Sequence, residues 1–457
     1  MPQPPSAASR DEPVIRDRGD ACPGALRLHA ADDGLLARIR IPGGELTGEQ
    51  AALLAGAADR FGDGRLELTS RGNVQLRGLA DGCGAQLAEL LDTAGLLPAP
   101  GHERIRNIVA TPLSGCDDPT RPDVLPWVRE LDRLLCANAR AAALSGRFLF
   151  AFDDGRGDVA ALRPDVTVLA QGGGRALVRL GPAADAVSVP AQDAPAAALA
   201  AAELFLDAAD AAGTRAWRVR ELPAEHTLCE REFVRLLAER GITGRPVTAV
   251  QWPYAPPPAP RATGAALCAL PPLGRLGSGQ LRTLARIARQ GRGMRITPWR
   301  TVVLPGAPLL RPVDAPALLT AAGLVVTPGS PWQGVTACTG RPGCAKALAD
   351  VRADAAAVAD RAAGPLPVHW SGCERRCGHP QGTAWVDLVA TGPAPATGPA
   401  PATGPAPGAG SAPATGSGYR LSVHGRPVPP GPDLASALTA ARHTPSEAAP
   451  SADAVKK

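Results

Sequence analysis

A chain of 457 residues is too long for one hydrophobic core, so about two to four domains are expected. Apolar residue types make up 45% of it and aromatics 3%, so the chain is globular with cores of leucine, valine and alanine. The formal charge of +5 comes without a clustered basic run or RNA-binding motif, and no apolar run nears the roughly 18 residues of a membrane span, which excludes nucleic acid and bilayer as expected partners. No hydrophobic signal core opens the sequence, so the expected location is cytoplasmic, where cysteines ligate metals rather than pair as disulfides.

Residues 1–21 read as a disordered leader rich in proline, serine and charge. Alternating LRLHA and LLARIRI follow as strands, then a helix over Thr47–Phe61, where Thr47 and Gln50 form a capping box. GRLELTSRGNVQLRGL reads as strand, turn and strand, and Gln86–Leu97 as a second helix. The same order returns from residue 265. Leu68–Gly78 aligns without gaps on Ile296–Gly306, pairing Thr69 with Thr297, Val74 with Val302, Leu76 with Leu304 and Gly78 with Gly306. A further helix is expected over Asp314–Leu324. A repeat this long implies duplication and pseudo-twofold pairing. The segments behind each copy also correspond: Arg106–Asp118 to Gln333–Ala345, and Gly146–Ala160 to Leu366–Pro380. Residues 221–264 join the halves by a helical run and the proline-rich YAPPPAPRATG. Residues 390–418, repeating ATGPAP, read as a disordered insertion between paired strands, and 443–457 as a tail.

Four cysteines stand in two pairs, Cys338-x5-Cys344 and Cys373-x3-Cys377. Four thiolates suit an iron–sulfur cluster or zinc, although structural zinc usually uses tighter pairs. A helix spaces them, with Leu348, Val351, Ala355, Val358 and Ala362 on its apolar face. In TSRGNVQLRG, Arg71, Asn73, Gln75 and Arg77 fall two apart, so one strand face is wet while Val74 and Leu76 face inward. Asp153, Asp154 and Asp158, set around glycines, can hold a hard metal such as non-heme iron with a histidine, or form a turn. His369 and His379 bracket the last cysteine pair as ligands, proton donors or packed core histidines.

This cysteine signature resembles that of the sulfite and nitrite reductase family, over residues 24 to 428. The resemblance implies an α+β fold built by duplication, with two ferredoxin-like half-domains (22–98 and 265–327) pairing into one unit. Two α/β domains (99–220, without a cluster, and 328–442, with one) would close a tetrapyrrole cleft. It implies that Cys338, Cys344, Cys373 and Cys377 ligate a 4Fe–4S cluster. It further implies that Arg71, Asn73, Gln75, Arg77, Arg106, Arg147 and Arg300 bind the ring's carboxylates, for which arginine forks are suited.

One departure points within the family. The reductases place a pair of cations where this chain has Arg147-Phe148-Leu149, and those cations serve a small oxyanion. With Leu149 there, the chain looks most similar to the oxygen-dependent branch serving aerobic cobalamin synthesis. That implies precorrin-3A and O2 as substrates, C20 hydroxylation with γ-lactone closure, and a mononuclear iron besides the cluster. QGGGRALVRLG lacks a dinucleotide-binding pattern, so an external NADH-linked reductase or ferredoxin is implied as electron donor. A siroheme-dependent sulfite or nitrite reductase, and a non-catalytic iron–sulfur electron carrier, are the alternatives.

Overall fold

The computed structural model describes residues 20, 22–310, 314–380, 384–392, 418–423, 425–428 and 433–444. Of the expected insertion at 390–418, residues 393–417 lie outside these residues, as do most of the leader and the tail from 445. Asp20, expected in the leader, is instead fastened: its carboxylate accepts from Ser145 Oγ at 2.9 Å and from the Gly146 N–H at 2.6 Å. The chain divides into two units, residues 1–30, 34–271 and 275–326, and residues 31–33, 272–274 and 327–457.

In the first unit the duplicated half-domains exchange strands. One sheet runs Gly34–Ile39, Val74–Leu79, Arg65–Leu68 and then Arg275–Gly277, borrowed from the second copy. The other runs Ala266–Ala269, Val302–Pro305, Met294–Ile296 and then Glu45–Leu46, borrowed from the first. Helices Gly48–Phe61 and Ser278–Gln290 pack together, and Leu54, Ala58, Leu281, Leu284 and Ile287 share one core. The first helix starts where a capping box starts it: Thr47 Oγ1 accepts from Gln50 N at 3.1 Å, and Gln50 Oε1 from Thr47 N at 3.0 Å. The second helix of each half is shorter than its apolar pattern, Gly84–Thr93 and Ala315–Ala321. Gln50 and Gln280 each donate to a carbonyl just past it, Ala94 and Ala322, both at 3.0 Å.

Behind the half-domains lies a mixed sheet. Ile108–Ala110, Phe150–Asp153 and Val166–Gln171 run parallel; Arg175–Leu180, Ala186–Pro190 and Arg245–Val247 continue it antiparallel. Phe148, Phe150 and Phe152 point into one core with the alanines of helix Ala194–Ala212, whose small side chains admit the large rings. The proline-rich connector crosses the sheet so closely that a Cβ on Gly157 would stand 2.0 Å from the Pro253 carbonyl oxygen.

The second unit repeats that sheet. Val335–Ala337, Val368–Ser371 and Val386–Ala390 are parallel, and Tyr419–Val423 and Arg426–Pro427 follow antiparallel. The helix between the cysteine pairs is only Val351–Val358. Asp350 caps it, accepting from Ala353 N at 3.1 Å, so Leu348 lies before the helix and is 43% exposed instead of lying on its buried face.

Candidate functional site

The strand LLARIRI sends Ala37, Ile39 and Ile41 into the core, so Arg38 and Arg40 leave from its other face. Arg40 is 3% exposed; its Nε donates to the Arg104 carbonyl at 3.0 Å, and its Nη1 has no hydrogen-bond partner among the described residues. Half-buried Arg38 donates through Nε and Nη2 to the Gln75 side-chain oxygen. Arg71 Nη1 donates to the Gly146 carbonyl at 3.1 Å, and buried Arg218 lies 2.5 Å from Asp165. Burial, aided by the charges of Arg38 and Arg71, pushes Arg40 down to about 9. Burial, then Arg218 and Arg38, lowers Arg71 to about 10. Four guanidiniums thus feel one another on one side of the first unit. Asp165 is shared with the N–H groups of Leu149 and Val219, at 2.8 Å each. Asp20, Glu67, Glu103 and Asp165 offset part of this charge, and a ligand carrying several carboxylates would offset more. Arg38, Arg40 and Arg218 were absent from the expected set, although the alternating Arg-x-Arg of LLARIRI carried the signal for two of them.

Of the seven residues expected to grip carboxylates, the four expected on one strand face, Arg71, Asn73, Gln75 and Arg77, do not share it. The strand begins at Val74, so Arg71 stands in the preceding turn and only Gln75 and Arg77 alternate with Val74 and Leu76. Asn73 is 2% exposed and committed to the fold: its Oδ1 accepts from Ile41 N at 2.9 Å and its Nδ2 donates to Asn107 at 3.1 Å. Arg77 is buried at 6% exposure. Arg106 is engaged inside the protein, its fork closed on Asp132 at 2.6 and 2.7 Å, with a third bond to the Leu96 carbonyl. Arg147 is exposed, its guanidinium 4.9 Å from the centre of the Trp217 ring. Arg300 takes the left-handed corner of the second turn at φ 59°, the place that Gly72 fills in the first at 65°. Leu149 is buried with Val109, Ala151 and Val159, and Trp299 packs against them.

The three aspartates form a turn. Asp153 accepts from the N–H groups of Gly155, Gly157 and Ala160 at 3.0, 2.8 and 3.1 Å. Asp154 is paired with Arg156, which also grips Asp117. Asp158 accepts from the Thr111 hydroxyl at 2.8 Å and the Val159 N–H at 2.7 Å. Burial and the charge of Asp153 push Asp158 up to about 7. These lone pairs are committed to the loop. Among the described residues no three histidines, cysteines or carboxylates converge to hold an ion. The expected mononuclear iron therefore does not fit this triad, whose carboxylate oxygens are taken by the loop.

In the second unit the cysteines stand on loops at the ends of the parallel strands. The Cys338 Sγ accepts from the Gly372 N–H at 3.1 Å, and its thiol is raised by burial, then by Cys377 and Cys373. The loop behind Cys344 is tied to the same place, Ala347 N to Cys344 O at 2.9 Å and Leu348 N to Gly372 O at 2.8 Å. Residues so arranged would suit a four-iron cluster, in which each thiolate binds a different iron instead of all four converging on one ion, and whose sulfurs accept N–H bonds. His369 is fully buried; Nδ1 lies 2.8 Å from Thr336 Oγ1 and Nε2 lies 3.1 Å from the Cys377 carbonyl. His379 stacks on Trp385 at 5.3 Å. None of the described helices is long and apolar enough to cross a membrane.

The profile of the Nitrite/Sulfite reductase ferredoxin-like half domain matches residues 29–93 and 259–314, the two copies described above. The chain is 28% identical over 393 residues to a precorrin-3B synthase from Sinorhizobium sp, covering 80% of each. It is also 28% identical over 388 residues to the ferredoxin–nitrite reductase of Synechococcus elongatus, covering 76% of this chain and 74% of that one. Among solved structures, the Mycobacterium tuberculosis NirA protein matches with a TM-score of 0.61 at 20% identity, covering 89% of this chain and 79% of that one.

Proposed function

From a chain that carries the nitrite/sulfite reductase ferredoxin-like half domain twice, in a nitrite/sulfite reductase-like fold, we propose an oxygenase of the precorrin-3B synthase type. The observation that carries this is Arg40, a buried guanidinium with an unpartnered Nη1 set among Arg38, Arg71 and Arg218. The acetates and propionates of precorrin-3A are the partners such an array calls for. Arg38, Arg40 and Arg71 grip them. Arg218, neutralised by Asp165, braces the array, and exposed Arg147 meets the rim. Arg106 holds helix Leu125–Ala137 through Asp132 and acts as a positioning residue.

Leu149 supports an oxygenase over an oxyanion reductase. With Val109, Ala151 and Val159 it offers an apolar surface where a proton-delivering cation would otherwise stand. A 4Fe–4S cluster on Cys338, Cys344, Cys373 and Cys377 supplies electrons singly when bound. One oxygen atom bridges C20 and the adjoining ring A carbon across their double bond and the other leaves as water, with two electrons from the donor and two protons from solvent. The ring A acetate then attacks that adjoining carbon, whose bond to the entering oxygen breaks to leave the C20 hydroxyl, and the γ-lactone is closed. A ferredoxin or an NADH-linked reductase is the donor class.

The test is incubation of the reduced, reconstituted protein with precorrin-3A under labelled oxygen. Mass spectrometry should find one labelled atom in the product. The nitrite reductase relatives favour one second reading, a siroheme enzyme. A siroheme absorption spectrum in the pure protein together with nitrite turnover, and no oxygen insertion, would replace the first reading by the second.

A further inference from the structure

The two mixed sheets are copies, and they differ at two adjoining positions in a way that tracks the cysteines. In the first sheet Val109 pairs with Ala151 across the parallel strands; in the second, at the same register, Thr336 pairs with His369. The next residues along each strand are alike in character: Ala110 beside Phe152, and Ala337 beside Trp370. The histidine and threonine therefore belong to the copy that bears the four cysteines.

The loops that follow are also held differently. In the first copy Asp153 fastens its loop by accepting three backbone N–H bonds. Its counterpart is Ser371, whose hydroxyl is buried with no hydrogen-bond partner among the described residues. The loop from Cys373 to Cys377 needs another fastening. His369 Nε2 meets the Cys377 carbonyl at 3.1 Å. A carbonyl oxygen only accepts, so Nε2 carries the proton. Nδ1 lies 2.8 Å from the Thr336 hydroxyl, which fixes the ring's orientation, and Trp385 meets its face edge-on at 5.9 Å. Arg376 makes a second tie, its Nε 2.6 Å from Asp387.

We infer that His369, oriented by Thr336, is a positioning residue that anchors Cys377 through its carbonyl and so sets the hold of the loop on the cluster. This rests on the cluster assignment above. Outer partners of metal ligands typically contribute about 10- to 100-fold in metal affinity.

The test uses the full chain, reconstituted without oxygen from ferrous iron and sulfide. The variants are His369→Gln, and Thr336→Val combined with His369→Ala, which installs the apolar pair that the first sheet already accommodates. The double variant should retain the parent's circular dichroism, lose iron to a chelator about tenfold faster or more, and shift the electron paramagnetic resonance spectrum of the reduced cluster. His369→Gln, which keeps an N–H donor, should fall between. Parent-like iron release and an unshifted spectrum in both variants would overturn the inference. If instead the parent takes up no more iron and sulfide than a variant with all four cysteines changed to Ser, the cluster assignment itself fails, and this inference with it.

Discussion

Thr111 and Cys338 occupy one place in two copies of a sheet. Each ends its strand by donating its N–H to a neighbouring aromatic residue's carbonyl, Thr111 to Phe152 at 3.0 Å and Cys338 to Trp370 at 2.9 Å. Each side chain then accepts the first N–H beyond the neighbouring strand, from Asp154 at 3.3 Å and from Gly372 at 3.1 Å. The two sheets share one strand register, and only one copy carries the cysteine at this corner. In the other copy the same corner is built from a hydroxyl, three aspartates and an arginine.

That equivalence makes Cys338→Thr a clean excision. The hydroxyl can take over the Gly372 N–H, so the apo fold should lose about 1 kcal/mol or less. The cluster should not assemble. Visible absorbance after reconstitution should be absent and the urea midpoint of the apo chain close to the parent's. Full iron and sulfide content in this variant would show that Cys338 is not a ligand.

A second prediction concerns Arg442, which closes the core of the second unit. It is 1% exposed and pairs with no carboxylate among the described residues. Instead it donates to the carbonyls of Leu366, Ala362, Gln333 and Gly364 at 2.7–2.9 Å, and to Pro331 at 3.4 Å. Arg442→Met keeps the stem but strands these acceptors, so it should cost about 3 kcal/mol or more. Arg442→Lys, with fewer donors and no fork, should recover only part of that. Urea unfolding followed by tryptophan emission reads both, since Trp332 and Trp370 lie in this core. A methionine variant as stable as the parent would refute the role.

The sequence made the duplication legible because its turns are spelled by local chemistry. Thr69 and Thr297 both accept through Oγ1 from the residue four positions on, Asn73 at 3.1 Å and Thr301 at 3.2 Å. The capping box at Thr47 and the cysteine spacing are equally local. What pattern reading missed depended on partners distant in sequence. Asn73 reads as an outward polar residue until Ile41 and Asn107 claim its amide. Arg106 reads as a ligand group until Asp132 closes on it. Arg218 joins the arginine array only because the chain folds back over Asp165. Period-two alternation also ran one turn too far: Gly72, at φ 65°, breaks the strand face that would have carried Arg71 beside Gln75.

Asp158 gives a pH prediction. Buried beside Asp153, its carboxyl keeps a proton up to about 7, against an ordinary 3.8. Between those values the folded chain binds more protons than the unfolded one, so this group's contribution to stability falls as pH rises, and levels off above about 7. Asp158→Asn retains an oxygen for the Thr111 hydroxyl and the Val159 N–H but cannot ionise. The variant should therefore gain on the parent as pH rises from 4 to 8, in urea midpoints measured side by side. A stability difference independent of pH would show that Asp158 titrates normally.

The arginines separate gripping from holding. Arg40→Met removes a buried guanidinium from the array and Arg71→Met a half-buried one, while Arg106→Met breaks the bidentate pair with Asp132. Under the proposed function the first two should weaken tetrapyrrole binding tenfold or more, since hydrogen bonds between charged partners contribute about 1.5–3 kcal/mol each. These contacts exist in ground and transition states alike, so KM should rise more than kcat falls. Relief of repulsion among the remaining guanidiniums should leave the apo fold no less stable, and the cluster spectrum should not change because no cysteine is touched. Arg106→Met should do the reverse. It strands a partly buried carboxylate, lowers the urea midpoint, and affects binding chiefly through lost fold. Lysine at position 40 should restore charge but not the fork, and recover binding only in part. If Arg40→Met and Arg71→Met bind precorrin-3A as tightly as the parent, the buried array is not the carboxylate site, and the assignment of the first unit to ring recognition falls with it.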